Sequence, residues 1–166
     1  YMDADSDATD IIDGYVANGW LKQFNSYEEL QHYVQGTPIL NKFACLVKER
    51  FDPITKTTVS KRCLILDTKR SMVKEASNRE YRSILPRVTD ACSDVMHLMD
   101  GLGADEHILM LVLDATEAFW NAPLRHSERK YYCGRVCDKF LCYTRTAQGS
   151  RGAPLSWAVL FSLISR

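Results

Sequence analysis

At 166 residues the chain can bury one good core, or part of a larger one. Its composition is that of a globular protein, and no stretch reaches the uninterrupted apolar length of a membrane span or opens the chain as a basic-then-apolar leader. The net charge of zero hides an uneven spread. Residues 1–40 carry one Lys against seven acids, residues 41–90 carry twelve Lys and Arg against six acids, and residues 91–166 carry eight of each. The basic middle could meet phosphates, or it could be a solvated face. The start at Tyr1 and the stop at Arg166, directly after an apolar run, predict a fragment.

In chain order, the acid-rich residues 1–13 read as a loose lead-in, and Ile11 to Leu21 as a short helix. Ser26-Tyr27-Glu28-Glu29 is a capping box, predicting a helix that runs to about Gln35 and stops at Gly36. Phe43 to Val47 and Thr58 to Asp67 read as two strands around an Asp52-Pro53 turn. They form a hairpin-like arm carrying Lys56, Lys61 and Arg62, followed by Lys69 and Arg70. Such an arm could clamp a triphosphate or a nucleic-acid backbone. Leu85-Pro86 opens a predicted helix over 86–102, whose apolar stripe from Val88 to Leu102 reads as core.

The chain is organised around HILMLVLDATEAFWNAPL, residues 107–124. The run Ile108 to Leu113 suits a strand buried on both faces, and it ends in a single carboxylate, Asp114. Burying that acid would cost several kcal/mol without compensation. Asp114 therefore either faces water and metal at the mouth of a site or caps the following turn. Residues 129–136 and 139–145 read as two more strands joined around Cys137-Asp138. The loop Gln148-Gly149-Ser150-Arg151-Gly152 then leads into an apolar helix over 153–165. Backbone can approach a ligand closely there, although an ordinary tight turn reads the same way.

The six cysteines sit mostly among apolar neighbours and read as reduced core residues of an intracellular protein. His126, Cys133, Cys137 and Cys142 match no standard zinc spacing.

The order of three stretches resembles the reverse transcriptases of retroelements. LVLDATEAFWNAPL looks like their first palm motif, QGSRGAPLSWA like their second, and KRCLILDTKR like their fingers strand. ILPRVTDACSDVMHLM looks like the Leu-Pro helix before the palm strand. The resemblance covers roughly residues 40–166 and divides the chain into an acidic lead-in, 1–40, and a fingers/palm region, 41–166.

It implies an α+β fold with an antiparallel palm sheet backed by helices, and a protein cut from a longer polyprotein. The implied reaction is RNA-directed DNA polymerisation on a primed RNA or DNA template, with deoxynucleoside triphosphates and Mg²⁺ as the cofactor of the full-length enzyme. Asp114 would be the catalytic metal ligand, joined by the backbone of Ala115. Lys61, Arg62, Phe119, Gln148 and Gly149 would bind the nucleotide, with Phe119 as a gate against the sugar 2′ position. Lys69, Arg70 and Arg151 would meet nucleic acid.

Two departures stand out. The position four before Asp67, basic in the family, is Cys63, with Arg62 one residue earlier. The third palm motif, with its adjacent aspartates, is absent, and no acid follows Asp138. The resemblance thus predicts truncation before that motif and a chain inactive by itself, without thumb, connection or ribonuclease H parts. The alternatives are a non-catalytic nucleic-acid-binding relic and an α+β interaction domain.

Overall fold

A computed structural model describes the chain except for residues 1–5, 78–80, 82–83, 85–86, 113 and 165–166 and the side chains of residues 6, 7, 50 and 61. The fold is α+β, and the strands form one mixed sheet in the order β1-β5-β4-β2-β3. β1 (Leu21–Phe24) pairs antiparallel with β5 (Lys139–Tyr143), and β5 with β4 (Cys133–Val136). β4 then lies parallel to the start of β2 (Leu40–Asp52), at Leu40↔Cys133 and Asn41↔Gly134. β2 and β3 (Thr57–Asp67) make a long antiparallel hairpin that contains the predicted basic arm. The parallel β2–β4 step corrects the expectation of a purely antiparallel sheet.

Strand alternation sorts the core onto the two sheet faces. On one face Leu21, Leu64, Leu66, Leu141 and Tyr143 join Ile12 of α1 (Ser6–Ala17) and Trp120. On the other, Phe24, Cys133 and Cys142 pack with Leu30 and Val34 of α2 (Tyr27–Val34). Fully burying each such side chain stabilises the fold by about 1.5–3 kcal/mol. The acidic lead-in is therefore not loose from residue 6 onward: α1 buries Ala8 and Ile12. β1 went unpredicted because Leu-Lys-Gln-Phe is too short to show a period, and its strand character comes from pairing with β5.

The Ser26 cap forms as read, but the reciprocal bond from Glu29 goes to the residue before the cap, not to Ser26 itself. Ser26 Oγ accepts from the Glu29 amide at 3.1 Å, and Glu29 Oε2 accepts from the Asn25 amide at 3.0 Å. The left-handed cap residue is Gln35 (φ 54°), one position before the expected glycine.

Three further expectations are corrected. The run 107–114 is not a strand: its described residues have no regular secondary structure and no ladder partners, and Leu109, Met110, Leu111 and Val112 are 72–92% exposed. Its apolar character matches a buried strand, but neither edge strand of the sheet, β1 or β3, pairs with its described residues. The predicted 86–102 helix is described over Val88–Asp100 (α4), with α3 (Val73–Ala76) before it. None of its residues is buried, so its stripe is not core among the described residues. The proposed Leu85-Pro86 start lies outside the described residues. Residues His126–Tyr131 form a 3₁₀ turn, and β4 starts only at Cys133. α5 (Ala153–Ile164) matches its predicted span, but among its described residues only Ala153 is buried.

Gly134 lies where β4 meets β2. A Cβ there would collide with the Phe43 ring and come within 2.9 Å of the Asn41 carbonyl oxygen, which is backbone and cannot swing away. Gly134→Ala should therefore destabilise the protein by about 2 kcal/mol or more, read from urea unfolding. A stability equal to that of the parent chain would show that β2 and β4 are not packed this closely.

Candidate functional site

The segment that follows Asp114 is anchored by its aromatic residues. Trp120, in a 3₁₀ turn over Ala118–Asn121, is 2% exposed. It stacks on Trp20 at 4.8 Å and on Tyr143 at 5.7 Å, with interplanar angles of 7° and 4°. Tyr143 continues the stack to Phe43 at 6.1 Å, and Tyr15 packs at an angle against Trp120 at 4.7 Å. Contacts of this kind contribute about 0.5–1.5 kcal/mol each beyond area burial. The turn itself is tight: Glu117 has φ 54°, and Asn121 Nδ2 donates to the carbonyls of Thr116 and Glu117. Burial pushes the Tyr143 hydroxyl well above the ordinary tyrosine range, so it is a structural phenol rather than an acid–base group.

The Gln148 loop is tied to this segment and to β3. Thr146 donates from both its amide (2.9 Å) and its hydroxyl (3.1 Å) to the Ala122 carbonyl, and Pro123 bridges Arg145. Gly149 adopts φ +93°, and a Cβ there would lie 3.1 Å from Ile65 Cγ2 and 3.4 Å from the Leu66 carbonyl oxygen. Arg151 Nη1 donates to the Lys74 carbonyl at 3.2 Å, just after β3. α5, which leaves the loop, packs on the 118–121 turn. Three stretches far apart in sequence thus meet: the end of β3, the turn after Asp114, and the Gln148 loop.

The remaining site residues are placed as follows. Asp114 is exposed and Ala115 half-buried, on the non-strand segment. Among the described residues Asp114 has no hydrogen-bond or ion-pair partner, and no group of three or more His, Cys, Asp or Glu side chains could hold a metal ion. Capping of its own turn, the alternative role for Asp114, is likewise not observed: the residue before the 118–121 turn is Glu117, which makes no side-chain cap. Phe119, Gln148 and Arg151 are half-buried, and Gly149 is exposed. Arg62 is half-buried on β3, beside Lys61 and opposite Val47, while Lys69 and Arg70 are exposed beyond the strand.

Two features went unread in the sequence. A cleft of about 580 Å³ opens behind the loop, lined by Ser71, Val73, Tyr131, Tyr132, Ser150 and Ser156 among others. Burial, assisted by Glu128, raises the Tyr132 hydroxyl above its ordinary value. Asn41, 4% exposed, spans the top of the sheet. Its Nδ2 reaches the Ile39, Tyr131 and Cys133 carbonyls at 2.9–3.1 Å, and its Oδ1 accepts from Ser71 Oγ at 2.5 Å. A single Asn ahead of an apolar strand was the only signal for it. The buried thiols Cys133 and Cys142 both point to the Arg129 carbonyl, at 3.2 and 3.7 Å. Cys142 beside it, together with burial, raises the Cys133 thiol far above its ordinary value, which makes it a poor nucleophile or metal ligand.

Comparison with protein-family profiles, curated proteins and solved structures finds no match for this chain.

The Gly149 contact tests how the loop is seated. Gly149→Ala forces a side chain into the left-handed region and against Ile65, so it should cost about 1–3 kcal/mol in thermal or urea unfolding. An unchanged midpoint would place the loop away from β3.

Proposed function

We propose that the chain is the fingers and part of the palm of an RNA-directed DNA polymerase of a retroelement, which extends a primer 3′-hydroxyl with deoxynucleotides. One observation supports this best. The three stretches whose order resembles reverse transcriptases are separated by tens of residues, yet the Gln148 loop packs on the end of β3 and bonds to the turn after Asp114. In this reading the loop and β3 face the nucleotide through Gln148, Gly149, Lys61 and Arg62, and Phe119 limits the sugar. Lys69, Arg70 and Arg151 follow the nucleic-acid backbone, whose charge dominates affinity.

The Mg²⁺ of that reaction does not fit the described residues by themselves. A two-ion phosphoryl-transfer site needs several hard oxygen ligands, whereas among the described residues Asp114 belongs to no group of three or more His, Cys, Asp or Glu side chains. The proposal therefore assigns Asp114 and the Ala115 backbone as partial ligands, and primer extension by this chain alone is not expected. A second reading, a nucleic-acid-binding relic, draws on the β2–β3 arm, where Val47, Phe51 and Val59 are 51–61% exposed among several Lys and Arg.

Photo-labelling with an azido-deoxyadenosine triphosphate and Mg²⁺ separates the two. The polymerase reading predicts labelled peptides from β3 and the Gln148 loop. It also predicts labelling reduced roughly tenfold in Asp114→Asn, the factor equivalent to 1.4 kcal/mol of binding. Labelling indifferent to Asp114→Asn, with RNA binding lost on neutralising Lys61, Arg62, Lys69 and Arg70, would favour the relic instead.

A further inference from the structure

The end of the sheet away from the hairpin gathers cations on aromatic rings. Lys22 of β1 holds its Nζ 4.3 Å from the Tyr33 ring centre and 5.7 Å from that of Phe24. The Arg129 guanidinium lies 5.8 Å from the same Tyr33 ring and donates to its hydroxyl, while the His126 ring meets Tyr33 edge-on at 5.2 Å. Arg135 of β4 covers Phe140 at 5.7 Å. Lys139, paired with Val136 and so on the other face of the sheet, bonds Asn25 Oδ1 through Nζ at 2.6 Å. The strand register accounts for the gathering: Lys22 is opposite Cys142 and Arg135 opposite Phe140, which puts both cations on the α2 side of the sheet.

These charges are poorly neutralised. Of Lys22, Arg129 and Arg135, only Arg135 has a carboxylate partner among the described residues. That partner, Asp138 at 3.2 Å, is almost fully exposed, so the pair contributes little and can exchange for a phosphate. Glu29, on the neighbouring helix, is committed to the Asn25 amide. The rings hold the cations in place, which lowers the entropy lost when they engage an anion. Tyr27, Tyr33 and Phe140 are only half-buried and leave ring surface beside the cations.

We infer that this α2-side face binds the phosphodiester backbone of a single nucleic-acid strand, at a site separate from the β2–β3 hairpin. Cations interleaved with partly open rings suit phosphates and bases together, a combination that an acidic peptide does not offer. The inference shares the partner class of the proposed function but not its Asp114 chemistry. The two therefore fail separately, and this binding is measured in EDTA, without nucleotide.

The test is fluorescence anisotropy of a labelled single-stranded RNA 20-mer against the full chain across a salt series. The variant neutralises Lys22→Gln and Arg135→Gln, both exposed and both on the α2 side of the sheet. Arg129 is left intact because it ties Tyr33 of α2 to the Leu124 carbonyl, whereas the backbone bond of Arg135, to the Cys137 carbonyl at 2.8 Å, stays within its own hairpin. Losing two phosphate contacts should weaken binding by on the order of fivefold in low salt and flatten the log–log salt slope by about 1.4. Circular dichroism matching the parent would show that the variant is folded. Should it misfold, Lys22→Gln alone should flatten the slope by about 0.7. Three results would overturn the inference: no RNA binding by the parent chain, an unchanged affinity and slope in the variant, or polyglutamate competing as well as RNA.

Discussion

Trp120 stacked between Trp20 and Tyr143 is the interaction on which the rest of this structure depends. Trp20 immediately precedes β1, Tyr143 ends β5, and Trp120 belongs to a segment with no ladder of its own. The stack is what fixes that segment against the sheet, and through Ala122 it fixes the Gln148 loop as well. The fit leaves Trp120 Nε1 and Tyr143 Oη buried without hydrogen-bond partners among the described residues, a penalty of about 1–3 kcal/mol for each group. The aromatic packing offsets it. The two orphaned atoms mark this as a place where shape, rather than polar pairing, governs the arrangement.

A second constraint sits at the parallel step. Asn41 bonds across β2, β4 and the 126–131 turn, and Gly134 leaves room for Phe43. Together they bring the long β2–β3 hairpin to the edge of a small sheet whose other edge is β1. Two charged surfaces result. The hairpin arm is basic by composition and is visible in the sequence. The cation–aromatic face is assembled from residues 22, 33, 129, 135 and 140, which no local window contains.

What the sequence revealed follows from the range of the interactions. The Ser26 helix cap, the β2–β3 and β4–β5 hairpins and the helices over 88–100 and 153–164 rest on local signals, and each appears within a few residues of its expected span. The run Ile108–Leu113 misled because an apolar pattern reports what a segment could bury, not which surface it meets in the fold. Its described residues stay irregular and exposed, and α4, which precedes it in the chain, has no buried residue. Of the candidate site, Gly149 and its loop were legible because a glycine-rich turn is a local signature. Trp120 has no local signature in the sequence, because its partners Trp20 and Tyr143 lie too far away along the chain to be seen. Asp114 was singled out by chemistry, and its surroundings depend on contacts that pattern alone does not supply.

The account turns on Trp120 holding the turn after Asp114 and the Gln148 loop as one unit with the sheet. Amide hydrogen exchange of Trp120→Ala measures this directly. If the stack is the anchor, protection at Thr146, Ser150 and Leu124 should fall toward that of an open loop, while the Leu30 and Val34 amides in α2 stay protected. Unchanged protection at Thr146 and Leu124 in a folded Trp120→Ala protein would contradict the account.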